Sequence, residues 1–468
     1  MLDLALIRAE PARVKAALAR RGVPPDAVDA VVDLDRRWSA RHEVREALRT
    51  RRRQISNEVA RRRAGADADA PADDDAGERP NLIRSGRGVA RDLRAVDHAM
   101  GDLADRRQAA LLDLPNLPAT NVPDTPPPVD EAGPPWPHPF PPLAHWDLLE
   151  MLHLAETAGA SAGSGYLLWR GPGARLVRGL TAFLLDAHTR TRGREEVLAP
   201  PVATRWALTG SAHLPTLEGM LYEVADPSPH EAPGATGGSS ASESRTADTR
   251  ATNLFLAPRA EPHLAALYAD TVLDEADLPV RLAAAATAFR RDSHGGGAAG
   301  RGLLRLRAFP TVEVYTLCRP EDADAELDAA VTDAEDLLGR LGLAHRRRLR
   351  AAADLSHAAA RTVSLDVWCP GLPQHDDDDE ASETGRWVEV AALSSFTDYQ
   401  ARRVGARYKD DADRVRPVHT VGGASVALPR LVAAILETGQ QADGSIRLPE
   451  ALVPLVGTEV VGAPEPRA

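Results

Sequence analysis

The chain has 468 residues, 43% of them hydrophobic, which is enough for two or three domains with a sizeable core. Its formal net charge of −12 excludes nucleic-acid binding through overall basicity, so any such contact must come from a local cluster of charge. Cys318 and Cys369 are too few for a disulfide framework or a zinc site, and we expect both to be buried in a reducing compartment. Met1–Arg21 lacks the apolar core of a secretory signal, and no apolar run approaches the roughly 18 residues of a membrane helix. We therefore expect a cytoplasmic protein.

The first part of the chain predicts a helical hairpin. A short helical start ends at the turn Pro24-Pro25, and a long helix is predicted over 31–64. A second helix is predicted over 82–112, because its apolar residues step by four and three, the a and d spacing of a coiled coil. The acidic segment 67–80 suits the turn of an antiparallel coiled-coil arm over 1–112. The apolar positions are Leu34, Trp38, Leu48, Ile55 and Val59 in the first helix, and Val89, Leu93, Val96, Met100 and Leu103 in the second.

The first long helix is strongly basic for an acidic protein. Nine arginines lie between Arg41 and Arg63, against three glutamates. Most runs of charge are only a solvated helix face, and that interpretation stays open here. The functional alternative is a surface that contacts the phosphates of a nucleic acid independently of base sequence. The residues that we expect to carry such a contact are Arg45, Arg49, Arg52 and Arg53.

The rest of the chain predicts a linker and an α+β domain. Residues 113–145 are rich in proline and predict an extended linker. Over 146–468, helices and strands follow without regular βαβ repeats, which indicates a mainly antiparallel sheet flanked by helices. The segment 226–250 is predicted as a disordered insertion and 374–385 as an acidic loop. His375 and the neighbouring aspartates could form a metal cluster, but a flexible acidic run lacks fixed geometry, so we favour a solvated loop. The predicted elements are helices at 175–191, 262–270, 322–341 and 431–437, and strands at 195–202, 254–256, 361–369 and 387–393.

One stretch, Phe289–Val314, predicts a strand, a loop with four glycines and a returning strand. This layout suits a nucleotide, because Arg290 can grip a phosphate through its planar guanidinium and Phe309 can cover a purine. The glycines would let the backbone approach closely. Glycine-rich hairpins with an arginine are common, so this motif alone leaves the function open.

The order of these features resembles that of seryl-tRNA synthetases, which are class II aminoacyl-tRNA synthetases. The most specific signatures are Gln400-Ala401-Arg402-Arg403 and Gln440–Ser445, and Leu114–Pro118 is similar to the end of the family's tRNA-binding arm. The stretches that resemble the three class II motifs are Glu196–Pro201, Phe289–Glu313 and His419–Arg430.

The resemblance implies a class II fold with an N-terminal coiled-coil arm, in a homodimer formed through the first motif. It implies that serine and ATP form seryl-adenylate and pyrophosphate, and that the seryl group then passes to the 3′ end of tRNA(Ser). Magnesium would neutralise the phosphates as pyrophosphate leaves. The implied cofactors are ATP and Mg2+, and the implied partners are serine, tRNA and a second copy of the chain, with no membrane and no DNA.

The resemblance also implies the role of each site residue by matching position. Arg290 would bind the α-phosphate and the carboxylate, Arg430 would face the far phosphates, and these two would be the catalytic residues. Phe309 would stack on adenine, and Glu389 would hold magnesium. The implied ATP site comprises Arg290, Asp292, Phe309, Glu389 and Arg430. The implied amino-acid pocket comprises Arg259, Glu261, Glu313, Gly422 and Ala424.

Several positions differ from the family's usual residues. Arg259 stands where threonine is usual, Ala391-Ala392 where two serines are usual, and Gly422-Gly423-Ala424 where Asn-Gly-Ser is usual. A site selects serine by hydrogen bonds to its hydroxyl group. Two alternatives therefore stay open: a paralogue that binds tRNA without activating serine, and an enzyme that adenylates another amino acid.

Overall fold

The computed structural model describes residues 1–65, 75–127, 139–225, 253–291, 301–373 and 384–462, and describes side chains in these ranges except at 63–65, 75–80 and 384. The chain divides into two compact units, Leu2–Leu114 and Pro115–Ala468, the second of which also takes in Met1. The predicted insertion 226–250, Asp292, the four glycines that follow it and residues 374–383 of the predicted acidic loop lie outside the described residues.

Helices form all of the regular structure described in the N-terminal unit. They are α1 (Leu4–Ala9), α2 (Pro11–Ala19), α3 (Pro25–Gly65) and α4 (Asp75–Asp113). Contacts between the two long helices show that they run antiparallel, since Arg45 pairs with Asp97 and Ile55 lies against Gly86. Buried apolar residues line the seam between them, as the heptad spacing predicts. They include Leu34, Ile55, Leu93, Val96 and Met100.

Both long helices begin earlier than predicted. Helix α3 starts at Pro25, because proline fits the first position of a helix, where its missing N–H costs no hydrogen bond. Helix α4 starts at Asp75, so the prediction of a loop over 67–80 is wrong for its last six residues. Pro80 is the sixth residue of this helix, and its missing N–H removes a single intrahelical hydrogen bond near the helix end.

The larger unit contains nine helices and seventeen strands within the described ranges. The helices are α5 (His145–Met151), α6 (Gly159–Ala162), α7 (Gly171–Asp186), α8 (Arg205–Gly210), α9 (Glu261–Ala266), α10 (Ala323–Arg340), α11 (Tyr399–Val404), α12 (Leu428–Gly439) and α13 (Val453–Val456). The strands are β1 (Ala155–Thr157), β2 (Leu167–Trp169), β3 (Glu195–Glu196), β4 (Val202–Thr204), β5 (Glu223–Val224), β6 (Leu254–Leu256), β7 (Val272–Asp274), β8 (Val280–Phe289), β9 (Ala308–Cys318), β10 (His345–Leu349), β11 (Arg361–Pro373), β12 (Thr384–Thr397), β13 (Arg407–Lys409), β14 (Val415–Pro417), β15 (His419–Ala427), β16 (Ile446–Arg447) and β17 (Val460–Val461).

The central feature of this unit is a seven-stranded sheet with the order β10-β11-β12-β15-β9-β8-β3. All neighbouring strands are antiparallel except β3 and β8, which are parallel. Helices α7, α10 and α12 pack against the sheet and bury its apolar side chains in one large core that also holds Cys318 and Cys369. This architecture confirms the predicted α+β class with a mainly antiparallel sheet.

Prolines limit two of the strands. The predicted strand 195–202 is interrupted by Pro200 and Pro201, which have no N–H to donate to a ladder, so β3 ends at Glu196 and β4 begins at Val202. Pro310 lies within β9, where it pairs with Thr287 of β8 but lies one residue beyond the last pair with β15. It therefore occupies a stretch that is paired on one side only, which tolerates proline.

The beginning of the proline-rich segment packs on the larger unit. Asn116 is buried, and its side-chain amide donates hydrogen bonds to the carbonyl oxygens of Ala358 (2.9 Å) and Phe396 (2.8 Å). Val122 is also buried. The predicted linker 113–145 thus begins as an anchored segment rather than a free spacer.

Candidate active site

A cavity of about 440 Å³ lies over the central sheet, and its walls come from β8, β9, β11, β12, β15 and the start of α12. Eight of the ten residues predicted for the ATP site and the amino-acid pocket line it. They are Arg259, Glu261, Arg290, Phe309, Glu313, Glu389, Ala424 and Arg430. Gly422 does not line the cavity, and its neighbour Gly423 does.

At one end of the cavity, positive charge is concentrated around Arg430. Helix α12 holds this residue at its third position, where Nη1 donates to the carbonyl oxygen of Glu389 (2.8 Å) and Nε to that of Leu304 (3.2 Å). Burial lowers the pKa of Arg430, Glu389 opposes that shift, and the positive charges of Arg290, Arg350 and Arg305 lower it further. Arg430 of α12 and three arginines from outside the regular elements therefore converge, and such a cluster suits a polyphosphate.

The carboxylate of Glu389 is held by an arginine from a neighbouring strand end. Arg350 Nη2 lies 2.6 Å from Oε1 and 2.7 Å from Oε2 of Glu389, and Arg348 Nη2 lies 3.4 Å from Oε2. Burial alone would raise the pKa of Glu389, but the charge and hydrogen bonds of Arg350 outweigh it, and the pKa lies below its ordinary value. Glu389 is therefore ionised at neutral pH. Within the described ranges, no group of three or more acidic, histidine or cysteine residues is arranged to hold a metal ion.

At the other end, two buried glutamates face each other. Glu313 Oε2 accepts a hydrogen bond from the backbone N–H of Glu261 (2.9 Å), and Glu261 Oε1 accepts one from Gln400 Nε2 (2.7 Å). Burial raises the pKa of both carboxyl groups, and the nearby charge of Arg259 opposes the rise. Gln400 is itself fixed, since its Oε1 accepts from the Tyr315 hydroxyl (2.9 Å). This pair of carboxylates can bind a small cation.

The wall between the two ends is made of small residues. Gly423 has φ +143°, and a side chain there would lie 2.2 Å from the carbonyl oxygen of Ala392, so only glycine fits. Ala391, Ala392 and Ala424 line the cavity without a hydrogen-bonding side chain, and Ala391 also belongs to the hydrophobic core. Phe309 lies on β9 beside this wall, half-buried, and presents an aromatic surface to the same cavity.

A buried carboxylate outside the cavity supports its phosphate-facing loop. Glu437 Oε1 lies 2.8 Å from His145 Nδ1, and His145 Nε2 accepts a hydrogen bond from the backbone N–H of Leu303 (3.0 Å). Leu303 and Leu304 line the cavity. The network therefore joins α12, which carries Arg430, to the loop that faces it.

Known proteins align with this chain over nearly its whole length. It is 35% identical over 473 aligned residues to the serine–tRNA ligase of Gemmatimonas aurantiaca, an alignment that covers 98% of this chain and 100% of the relative. It is 32% identical over 465 residues to the serine–tRNA ligase of Pelotomaculum thermopropionicum, covering 98% and 99%. The chain belongs to the seryl-tRNA synthetase family. This confirms the family and the enzyme class, an aminoacyl-tRNA synthetase, predicted from the motifs.

Family profiles and solved structures agree with this membership. The seryl-tRNA synthetase N-terminal domain matches residues 1–118, and the tRNA synthetase class II core domain (G, H, P, S and T) matches residues 245–439. The crystal structure of seryl-tRNA synthetase from Pyrococcus horikoshii complexed with ATP superposes with a TM-score of 0.81 at 26% identity, covering 99% of this chain and 100% of that one. The cytoplasmic serine–tRNA ligase from Naegleria fowleri in complex with AMP shares the fold, with a TM-score of 0.76, 22% identity and 99% coverage of both chains.

Sequence reasoning missed several cavity residues of this seryl-tRNA synthetase family member, among them Arg305, Arg350 and His213. Arg350 was not singled out, although Arg346, Arg348 and Arg350 alternate along β10 and its end, and such spacing places side chains on one face of a strand. His213 was missed because no motif marks it. It lines the cavity, and burial, with a contribution from the charge of Arg259, lowers its pKa to about 3, so it is neutral.

The predicted arm arginines differ in their surroundings. Arg45 is half-buried and pairs with Asp97 on the opposite helix (2.8 Å), and Arg49 pairs with Glu46 (3.0 Å). Arg52 and Arg53 are exposed. Among the four, these last two present their charge most openly to a ligand.

Proposed function

We propose that this chain is a serine–tRNA ligase that activates serine with ATP and transfers it to the 3′ end of tRNA(Ser). The observation that carries the proposal is the arrangement within one cavity: Arg290 and Arg430 converge at one end, and Glu261 and Glu313 face each other at the other. Support comes from relatives named serine–tRNA ligase that align over the whole chain.

The chemistry follows from the two ends of the cavity. The serine carboxylate attacks the α-phosphorus, a new P–O bond forms, and the bond to the β-phosphate oxygen breaks with release of pyrophosphate. Arg290 and Arg430 stabilise the charge that develops on the phosphates. A ribose hydroxyl of the tRNA then attacks the acyl carbon, and AMP leaves. Neither step needs a nucleophilic side chain, so the work of the protein is to hold the reacting groups in line.

The amino-acid end can fix the substrate by its ammonium group. Glu261 Oε2 receives no hydrogen bond, and Glu313 Oε1 is buried without a hydrogen-bond partner within the described part of the chain. Phe309 would cover the adenine ring on the opposite side. Fixing the ammonium group of serine and the adenine ring of ATP in this way would place the serine carboxylate beside the α-phosphate.

Magnesium is a further part of the proposal. Proteins usually hold Mg2+ with one or two carboxylates and the substrate's own phosphates. Glu389 fits this pattern, because its carboxylate is ionised, lines the cavity and lies beside the converging arginines. When bound, the ion would neutralise phosphate charge. Asp292 stays a predicted member of the ATP site outside the described residues.

Charging of tRNA tests this function directly. The purified chain, ATP, labelled serine and transcripts of serine tRNAs should yield seryl-tRNA, whereas labelled alanine or threonine should not be incorporated. Failure to charge every serine isoacceptor would contradict the proposal. We also propose the cytoplasm as the site of the reaction and tRNA, not DNA, as the nucleic-acid partner.

The arm should bind the tRNA backbone through its open arginines. Replacing both Arg52 and Arg53 with glutamine removes two positive charges. We expect the affinity for tRNA to fall about tenfold, and the slope of the logarithm of the binding constant against the logarithm of the salt concentration to become shallower by about two. Filter binding at several salt concentrations measures both. Arg13→Gln is the matched control, because it removes an exposed arginine of the same unit that already pairs with Glu10. An unchanged salt slope in the double variant would place the tRNA elsewhere.

A second copy of the chain should cover the edge of the sheet at β3. Within the described residues this strand pairs with β8 alone, and Leu198 just beyond it is 92% exposed. An apolar side chain this open beside an unpaired edge is typical of an interface. We expect Leu198→Asp to convert a dimer into a monomer in light scattering after gel filtration. Leu168→Asp, a half-exposed leucine on β2, should leave the dimer intact, and a dimeric Leu198→Asp would contradict this interface.

A further inference from the structure

One cation of the protein already lies between the two glutamates of the amino-acid end. Arg259 Nη1 lies 3.7 Å from Glu261 Oε2, and Arg259 Nε lies 3.7 Å from Glu313 Oε1. Both carboxylates are buried, whereas the Arg259 side chain is 35% exposed and lines the cavity. Arg259 thus reaches from the open cavity toward two oxygens that accept no hydrogen bond from the described part of the chain.

The distances show that Arg259 offsets part of the negative charge of the two glutamates but donates no hydrogen bond to their carboxylates. A separation of 3.7 Å is within ion-pair range but too long for a hydrogen bond. The buried Glu313 Oε1 has no hydrogen-bond partner within the described ranges, and leaving such an acceptor unpaired is unfavourable. A guanidinium is planar and bulky, whereas an ammonium is compact and carries three donors. A substrate ammonium can therefore approach both oxygens more closely than Arg259 does.

We propose that Arg259 is a resident counter-ion which the ammonium group of the amino acid must displace, and that it thereby sets the affinity of the pocket for its amino acid. The inference rests on the proposed function, since it assigns the ammonium to the same two glutamates. Its consequence is specific: Arg259 weakens amino-acid binding while it offsets part of the negative charge of the empty pocket. The displaced guanidinium turns into the open cavity, to which 35% of the side chain is already exposed.

Removing Arg259 should also make amino-acid binding depend on pH. The charge of Arg259 opposes the rise in pKa that burial causes in both carboxyl groups, so without it their pKa rises further. At a pH below the raised pKa, one of the two carboxyl groups holds a proton that the serine ammonium must displace. At a higher pH both carboxylates are ionised and can bind the ammonium. Serine affinity should therefore increase as pH rises. The other titratable groups facing the pair do not change charge in this range, because burial lowers the pKa of His213 to about 3 and raises that of Tyr315.

Calorimetric titration of the full chain with serine tests the proposal. We expect Arg259→Met to bind serine about tenfold more tightly than the wild type at about pH 8, and the gain to shrink toward about pH 6. Arg259→Lys keeps a cation and should stay within about threefold of the wild type. Arg259→Gln, which keeps donors but no charge, should follow the methionine variant and replaces it if that protein does not fold.

The outcomes separate this inference from the proposed function. Equal or weaker serine binding by the neutral variants at every pH, or no serine binding by any variant, would overturn the role of Arg259. Pyrophosphate exchange with serine in the wild type, together with an unchanged affinity in the variants, would overturn this role and leave the proposed function standing. The KM for ATP should stay within about twofold in all three variants, since the counter-ion role concerns the amino acid alone.

Discussion

Arg430→Ala is expected to lower the rate of serine-dependent ATP–pyrophosphate exchange by about a hundred- to a thousandfold, the usual effect of removing one donor that stabilises transition-state charge. Arg430 is fixed by hydrogen bonds to the carbonyl oxygens of Glu389 and Leu304, so its charge is already in place for the phosphates that we propose to bind there. The substitution also removes one of the four arginines that converge at this end of the cavity.

The control for this prediction is an arginine outside the cavity. Arg447 is exposed and pairs with Glu459, so Arg447→Ala should leave the exchange rate within about twofold of the wild type. A rate above about a tenth of the wild-type value for Arg430→Ala would mean that the phosphates do not bind at this end of the cavity.

Glu437→Ala is expected to lower the free energy of unfolding by about 3–5 kcal/mol, because three buried donors lose their acceptor at about 1–3 kcal/mol each. The carboxylate is completely buried and accepts from the backbone N–H groups of His145 (3.0 Å) and Gly371 (2.8 Å) as well as from the imidazole of His145. Alanine would leave three buried donors without an acceptor. Urea unfolding followed by circular dichroism measures the change.

Glu450 provides the matched control for the buried carboxylate. It lies exposed at the start of a short 3-10 turn in the same unit, and its replacement by alanine should change the free energy of unfolding by less than about 0.5 kcal/mol. A loss of less than about 1 kcal/mol for Glu437→Ala would show that water replaces the lost acceptor and that the network is not a main support of the loop.

The spacing of apolar residues predicted the elements that bury residues at regular intervals. It failed where prolines affect the point at which a helix or strand begins or ends. Leu93, Val96 and Met100 marked the seam of α4, because a long helix buries residues at fixed spacing. The start of α4 was missed because Pro80 suggested a break, whereas a proline near a helix end is tolerated. The strand predicted over 195–202 is divided between β3 and the first residue of β4, because two prolines lie between them.

The site was only partly predictable from the sequence, because the fold decides which residues from distant parts of the chain meet in the cavity. Arg290 and Arg430 followed from the resemblance, and their convergence is a property of the fold. Gly422 was expected in the pocket, but it lies against Val314 and Tyr315 of β9, and the next two residues, Gly423 and Ala424, line the cavity. Glu389 pairs with Arg350, which precedes it by 39 residues and carries no motif of its own.

The most direct test of the central claim is ATP–pyrophosphate exchange by the purified chain with each of the twenty amino acids in turn. The claim that this cavity activates serine predicts exchange with serine well above every other amino acid, and its loss in Arg430→Ala. Exchange with a different amino acid alone would identify an enzyme of altered specificity. Absence of exchange with all twenty, by a folded protein that still binds tRNA, would contradict activation of serine and leave a tRNA-binding paralogue.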